Sequence, residues 1–255
     1  MSQVHILATV RKAELMSAAL LVFRTLRVGF PLAEVVVWGN GLSGGAEAVV
    51  GDAARQCGAR FINVPQGTVH DAWIEDLIES QMAPFWICDT DVVFWEAMPQ
   101  PKRRTVLSGR HEVEFEEEWT RTRHMERLHT AVMWIDPGLL RSAMREWMAR
   151  IPAPWGQKAE FPLVRQAFVP LQQGRKRVTL FYDTLAGVWQ AGIGTPFTEE
   201  QNQAFDHLHC ATYADVITLQ GLRATHEAIY RDHTVARGMR RQQDEYYARR
   251  KAKRL

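Results

Sequence analysis

Apolar and polar positions alternate in blocks along the first ninety residues. VHILATV (4–10) is a short apolar run of the kind that fills a buried strand. From Glu14 the apolar positions Leu15, Ala19, Val22 and Leu26 recur at helical spacing, and Gly29, Phe30 and Pro31 stop that helix. EVVVW (34–38) predicts a second strand, broken by GNGLSGG (39–45). A helix through Ala46, Val49, Ala53 and Cys57 follows, closed by Gly58. RFINV (60–64) reads as a third strand, 70–82 as a third helix and PFWICD (84–89) as a fourth strand. Strands alternating with helices through short loops predict an α/β chain with a Rossmann-like, mostly parallel, doubly wound sheet and flanking helices.

Beyond residue 100 the pattern loosens. TVLSG (105–109) predicts a strand that leads into a charged loop, 110–127. HTAVMWI (129–135) predicts another strand, followed by a helix from Pro137 to about Arg150. Pro152, Pro154, Pro162 and Pro170 punctuate an irregular stretch. VTLFY (178–182) is a further strand, TLAGVWQ (184–190) a short helix, FDHLHC (205–210) a strand or its end, and a helical tail closes the chain. The boundaries suggest one domain over 1–220 and a basic tail over 221–255.

Composition narrows the class. With 255 residues, 46% hydrophobic and 24% charged, the chain is long enough for a sizeable core. Its three cysteines, Cys57, Cys88 and Cys210, are far apart and odd in number, which suggests neither a disulfide framework nor a zinc knuckle and fits a reducing cytosol. MSQVHILATV runs into a strand without a long apolar signal core, and no stretch reaches the length of a membrane span, so a cytoplasmic protein is expected. The net charge of +2 hides an asymmetry. Of 31 Lys/Arg and 29 Asp/Glu, residues 221–255 hold ten and four, leaving 21 basic and 25 acidic residues before them. Such a tail is either a solvated end or a surface for phosphate, nucleic acid or anionic lipid.

The apolar run FWICDTDVVFW (85–95) carries two aspartates, Asp89 and Asp91. Burying two nearby carboxylates is costly unless a cation, a shared proton or an opening to solvent compensates them. Ligands of open parallel sheets bind beyond the carboxyl ends of the strands, and three more polar features fall at such ends. Thr9, Arg11 and Lys12 follow the first strand, where cations at a helix start suit a phosphate or form a plain solvated loop. Asn40 lies between glycines, as a turn residue or a ligand contact. His70 and Asp71 open the third helix, where they can simply cap it.

TVRK after the first strand, FWICDTDVVFW around the fourth, FYDTLAG and FDHLHC together resemble the GT-A glycosyltransferases, which use nucleotide-sugar donors. The likeness spans roughly residues 4–215 as an order of elements. It implies a GT-A-type fold and a divalent cation, Mn²⁺ or Mg²⁺, with a nucleoside-diphosphate sugar as co-substrate. It makes Asp91 a direct metal ligand, Asp89 its partner toward the metal or the ribose, and His207 or His209 a further ligand. A mixed oxygen and imidazole set favours Mn²⁺. Asp183 falls in the slot of a general base, where it could remove the proton of an acceptor hydroxyl or only cap a helix. The charged loop 110–127, with Trp119, fits an acceptor loop that orders on donor binding. The acceptor is open among glycan, lipid, protein, small metabolite and modified DNA base, the last through the basic tail.

Two rivals share parts of this pattern. Haloacid-dehalogenase-like phosphatases also place D-x-D after an apolar strand, with the first carboxylate, here Asp89, as nucleophile. In that family the strand comes first and an acidic pair follows later, whereas here it comes fourth and no adjacent Asp pair follows. A non-catalytic nucleotide-sugar or nucleic-acid binder is the other rival.

Overall fold

The computed structural model describes residues 2–10, 20–68, 70–112, 115–117, 122–124, 127–150 and 192–207. They form β1 (Gln3–Ala8), α1 (Leu21–Gly29), β2 (Glu34–Asn40), α2 (Gly44–Gln56), β3 (Arg60–Val64), α3 (His70–Ser80), β4 (Phe85–Cys88) and β5 (Val92–Phe94). Then come β6 (Leu107–Glu112), β7 (Phe115–Glu117), β8 (Thr122–His124), β9 (Arg127–Ile135), α4 (Pro137–Arg150), β10 (Gly194–Pro196), α5 (Glu199–Gln203) and β11 (Phe205–His207). Elements expected at 178–182 and 184–190, and the tail over 221–255, lie outside the described residues.

A seven-stranded sheet runs in the order β10-β6-β9-β4-β1-β2-β3. The strand–helix alternation of the first ninety residues gives what it predicts, since β1 pairs parallel with both β2 and β4, and β2 with β3. The exception is β9, which is antiparallel to β4 and to β6, so the sheet is mixed but mostly parallel. A parallel partner needs a crossover of a dozen or more residues. β6 reaches β9 instead through the short antiparallel pair β7–β8, which returns the chain in the opposite direction.

The described residues of the segment expected as a charged loop, 110–112, 115–117, 122–124 and 127, are therefore extended. Arg110 pairs with His129, His111 with Leu128 and Glu112 with Arg127. Its charged composition conceals strands because a ladder projecting beyond the core needs no apolar alternation. The register between β6 and β9 shifts at Gly109/Arg110, next to the end of β4.

Side chains alternate between the two faces of the sheet. Val4, Ile6, Ala8, Val35, Val37, Trp86, Cys88 and Val132 meet Val22 and Leu26 of α1 and Val50 and Ala54 of α2. Leu7, Phe85, Ile87, Met133 and Ile135 meet Trp73, Ile74 and Leu77 of α3 and Leu140 of α4. At about 1.5–3 kcal/mol for each fully buried aliphatic or aromatic side chain, these two layers supply most of the drive to fold. α2 ends as expected, with Gly58 at φ +72°.

One polar side chain is buried on the second face. His5 accepts a hydrogen bond at Nδ1 from Trp38 Nε1 (3.2 Å) and stacks edge-on against Phe85. Burial, aided by the charge of Arg60 and opposed by that of Glu34, pushes its pKa down to about 4, so it is neutral at pH 7. Among the described residues no helix is long and apolar enough to cross a membrane.

Candidate metal centre

The D-x-D turn is held from three sides. β4 is buried along its whole length and ends at Cys88. The Asp89 amide then donates to Ala131 O of β9 (2.7 Å), and Thr90 O accepts from the Val22 amide in the first turn of α1 (3.0 Å). Four residues on from Thr90, the Phe94 amide donates to the buried Thr25 hydroxyl of α1 (3.0 Å). The chain thus leaves the sheet at Asp89 and re-forms as β5, a separate strand under α1.

Its partner comes from far along the chain. β5 pairs antiparallel with β11, and His207 lies opposite Val92, beside Asp91. The ribbon is pinned by Trp95, whose amide donates to Ala204 O and whose Nε1 donates to Asp206 Oδ2 (2.7 Å). Arg110 donates to Asn202 O and Phe205 O and lies over the Phe205 ring, 4.3 Å from its centroid. The turn before β11 is a capped helix: Thr198 and Gln201 form a reciprocal capping box at α5, and Gln201 Nε2 donates to Pro99 O. Gly29 is required where α1 meets the ribbon, since a Cβ there would lie 2.4 Å from the Phe94 ring.

These constraints bring Asp89, Asp91 and His207 together, each offering one donor atom, with all three atoms within 4.8 Å of one another. His207 Nε2 is 3.2 Å from Asp91 Oδ1 and 4.0 Å from Asp89 Oδ2. Burial alone lowers the pKa of His207, but the charge of Asp91, its hydrogen bond and the charge of Asp89 outweigh burial and raise it. The side chains of His207 and Asp91 are 8% and 12% exposed, that of Asp89 29%. Two carboxylates and an imidazole converging at a half-open edge suit a divalent cation, and the oxygen–nitrogen set suits Mn²⁺. Cys88, directly below, is pushed well above the ordinary thiol pKa by burial and then by Asp89 and Asp91, and its Sγ donates to Asp89 O. Its sulfur lies outside the convergent trio.

Other expected site residues have varied fates. Thr9 and Asn40 stand at the ends of β1 and β2, where Asn40 Nδ2 donates to Thr9 Oγ1 (3.0 Å) and to Thr68 O (3.1 Å), while Asn40 Oδ1 accepts from the Thr68 amide. The side chain of Asn40 thus ties two strand ends to the loop before α3. Arg11, Lys12, Asp183, His209 and Trp119 lie outside the described residues.

Two residues at the site, His129 and Arg110, were not singled out by the sequence pattern, and a third was given a different weight. His70, read there as a helix cap, turns its Nε2 toward Asp89 Oδ1 at 3.5 Å. His129 lies with its ring centroid 4.9 Å from that of His207, and its Nδ1 accepts from the Ala131 amide. Arg110 holds β11 as described. His70 was at least visible at the correct end of the sheet. For His129 and Arg110 the only signal was a polar residue at the junction of a charged segment with an apolar strand.

No protein-family profile and no curated protein sequence matches the chain. Among solved structures it is similar to the apo form of the glycosyltransferase GlyE of Streptococcus pneumoniae TIGR4, with a TM-score of 0.47 and 6% identity over 79% of this chain and 46% of that one. It is also similar to the galactosyltransferase LgtC in complex with donor and acceptor sugar analogs, with a TM-score of 0.46 and 12% identity over 86% of this chain and 81% of that one. A third is the mannosyltransferase PcManGT from Pyrobaculum calidifontis, in complex with GDP-Man and Mn²⁺, with a TM-score of 0.37 and 14% identity over 93% and 84%. The chain spans less than half the length of GlyE. At these scores, function is read from the site's own geometry.

Proposed function

We propose that the chain is a metal-dependent glycosyltransferase of GT-A type, moving a sugar from a nucleoside-diphosphate sugar to an acceptor hydroxyl. The observation that carries the proposal is the convergence of Asp89, Asp91 and His207 beyond the carboxyl ends of parallel strands. Asp91 and His207 would hold the cation from the ribbon and Asp89 from the sheet. A cation bound there supplies positive charge against the diphosphate that leaves as the sugar is transferred.

The remaining roles belong to the chain itself. The exposed edge of Asp89 leaves a side open for the donor, and Thr9 at the end of β1 lies on the same margin. Arg11 and Lys12 are assigned to the donor's phosphates, and His209 to a further ligand position. Asp183 is assigned the proton of the acceptor hydroxyl, which a carboxylate takes when it lies within hydrogen-bond reach.

The test is hydrolysis and transfer across a panel of UDP- and GDP-sugars with Mn²⁺, Mg²⁺ or chelator. Release of sugar that needs the cation supports the reading. Indifference of nucleotide binding and sugar release to the cation overturns it, and phosphate found covalently on Asp89 after a phosphoester substrate would establish a phosphatase instead.

A further inference from the structure

The Asp89 carboxylate lies between two imidazoles, one at each oxygen. Oδ2 faces His207 Nε2 at 4.0 Å, on the side of the candidate cation. Oδ1 faces His70 Nε2 at 3.5 Å, and His70 is not part of the convergent trio. A carboxylate left to itself presents two equivalent oxygens and can rotate or chelate through both. An N–H group engaging one oxygen leaves the other as a single, oriented ligand atom.

The position of His70 is itself constrained. It is the first residue of α3, and its ring lies tilted against buried Trp73, 5.9 Å between centroids. Two residues earlier, Thr68 is bound through both backbone polar groups to the Asn40 side chain. Gly67, at φ +67°, gives the turn its hand and passes close to Asn40, where a Cβ would lie 3.2 Å from Oδ1. The ends of β1 and β2 are therefore tied through Asn40 to Thr68, two residues before the ring that faces Asp89.

We propose that His70 is a positioning residue for Asp89: its Nε2 proton holds Oδ1, so that Oδ2 alone is presented toward Asp91 and His207. The proposal rests on the metal-centre reading above and adds to it a residue outside the ligand set.

The experiment separates hydrogen bonding from packing. Mn²⁺ alone is titrated into the full chain and the free ion followed by electron paramagnetic resonance, for the wild type, His70→Phe and His70→Gln. Phe keeps an aromatic ring for Trp73 and has no donor; Gln has no ring but carries an amide N–H at the reach of the imidazole Nε2. Outer partners of metal ligands are worth about 10–100-fold in affinity, so His70→Phe should bind Mn²⁺ about tenfold or more weakly while His70→Gln stays within about threefold of the wild type. His70→Ala replaces His70→Phe in the comparison if the latter does not fold. Wild-type affinity in His70→Phe, or equal loss in both variants, overturns the positioning role. Loss in His70→Gln alone overturns it too, by assigning His70 to packing. Failure of the wild type itself to bind Mn²⁺ would instead bring down the metal-centre reading, and the positioning role with it.

Discussion

Asp89 and its two companions belong to differently built regions. Asp89 extends from β4, a strand flanked by β1 on one side and β9 on the other, with helices over both faces. Asp91 immediately precedes, and His207 ends, a strand of the ribbon β5–β11, two three-residue strands outside the main sheet. A two-stranded ribbon is not stable alone. This one depends on Phe94 and Phe205 packing beneath α1, on Thr25, and on the Arg110 clamp. A cation bound by the trio would bridge the two regions, so docking of the ribbon and affinity for the cation are linked quantities. The sheet positions one of the candidate ligands, and the other two sit on or beside the ribbon, where their placement depends on tertiary contacts.

The strongest test sets one core deletion from each region side by side. Phe205→Ala should cost about 3–5 kcal/mol in urea unfolding, and Ile74→Ala, under the opposite face, about 2–5 kcal/mol. Both side chains are fully buried. Only Phe205→Ala should also weaken Mn²⁺ binding, because only it loosens the strand that carries His207. Equal Mn²⁺ affinities in the two variants would show the ribbon to be no more tightly tied to the site than the rest of the core.

Next in size is Asp91→Asn, which removes an anionic ligand from the ribbon and should weaken Mn²⁺ binding by about a hundredfold or more, since affinity follows the charge of the ligand set. That corresponds to about 2.7 kcal/mol at 1.36 kcal/mol per tenfold. Calorimetric titration of Mn²⁺ reads it directly, and the metal-free fold should persist.

The two regions also differ in how far the chain announces them. Val4–Ala8, Val35–Val37 and Arg60–Val64 are local runs bounded by glycine, proline or helix starts, and local signals suffice to read them as strands. The D-x-D stood out because its carboxylates interrupt such a run. Of the ribbon, FDHLHC (205–210) reads as a strand or its end, and Phe205–His207 is one, but its partner strand and the pairing of the two carry no comparable signal. Val92–Phe94 continues the apolar stretch of β4, so nothing in its periodicity marks a second strand. Its pairing with Phe205–His207 is a long-range choice set by packing. The pattern Thr198-Glu199-Glu200-Gln201 does carry a capping box that places α5, a usable signal for the turn before His207. His70 shows a different limit: its residue type and strand-end position were visible, whereas its approach to Asp89 joins segments distant in sequence.

A smaller effect distinguishes the ribbon's histidine from the sheet's. Both are buried, yet the pKa of His5 is pushed down by burial, while that of His207 is raised because Asp91 and Asp89 outweigh burial. For a group whose folded pKa lies above its unfolded value, the stabilisation is fully present below the unfolded value and is lost as pH rises through the folded one. Metal-free protein should therefore lose the His207 contribution above pH 6.5. Over the same window Mn²⁺ affinity should rise, by about tenfold per pH unit below the raised value and levelling above it, because the ligand must be unprotonated. In Asp91→Asn the levelling point should move to lower pH. His5 acts oppositely on stability, with its contribution present above pH 6.5 and lost as pH falls through about 4. Urea titrations at several pH values with and without Mn²⁺ resolve the two, and an affinity that does not change with pH would remove His207 from the ligand set.

The smallest effect concerns the hydrogen bond from the Phe94 amide to Thr25 of α1. Thr25 is buried, and its hydroxyl accepts from the Phe94 amide at 3.0 Å. Thr25→Val keeps the shape and removes the acceptor, leaving a buried amide unsatisfied at about 1–3 kcal/mol, whereas Thr25→Ser keeps the acceptor and loses only a methyl group. If this bond does no more than stabilise α1, the two variants should differ in urea midpoint and bind Mn²⁺ alike. If it holds β5 in register under the helix, Thr25→Val should also bind Mn²⁺ several-fold more weakly, because Asp91 immediately precedes β5. The expected outcome is the second. Phe94 is the residue paired with Phe205, and the same strand turns into the β11 contacts at Trp95, so a shift at this amide moves both ribbon ligands relative to Asp89.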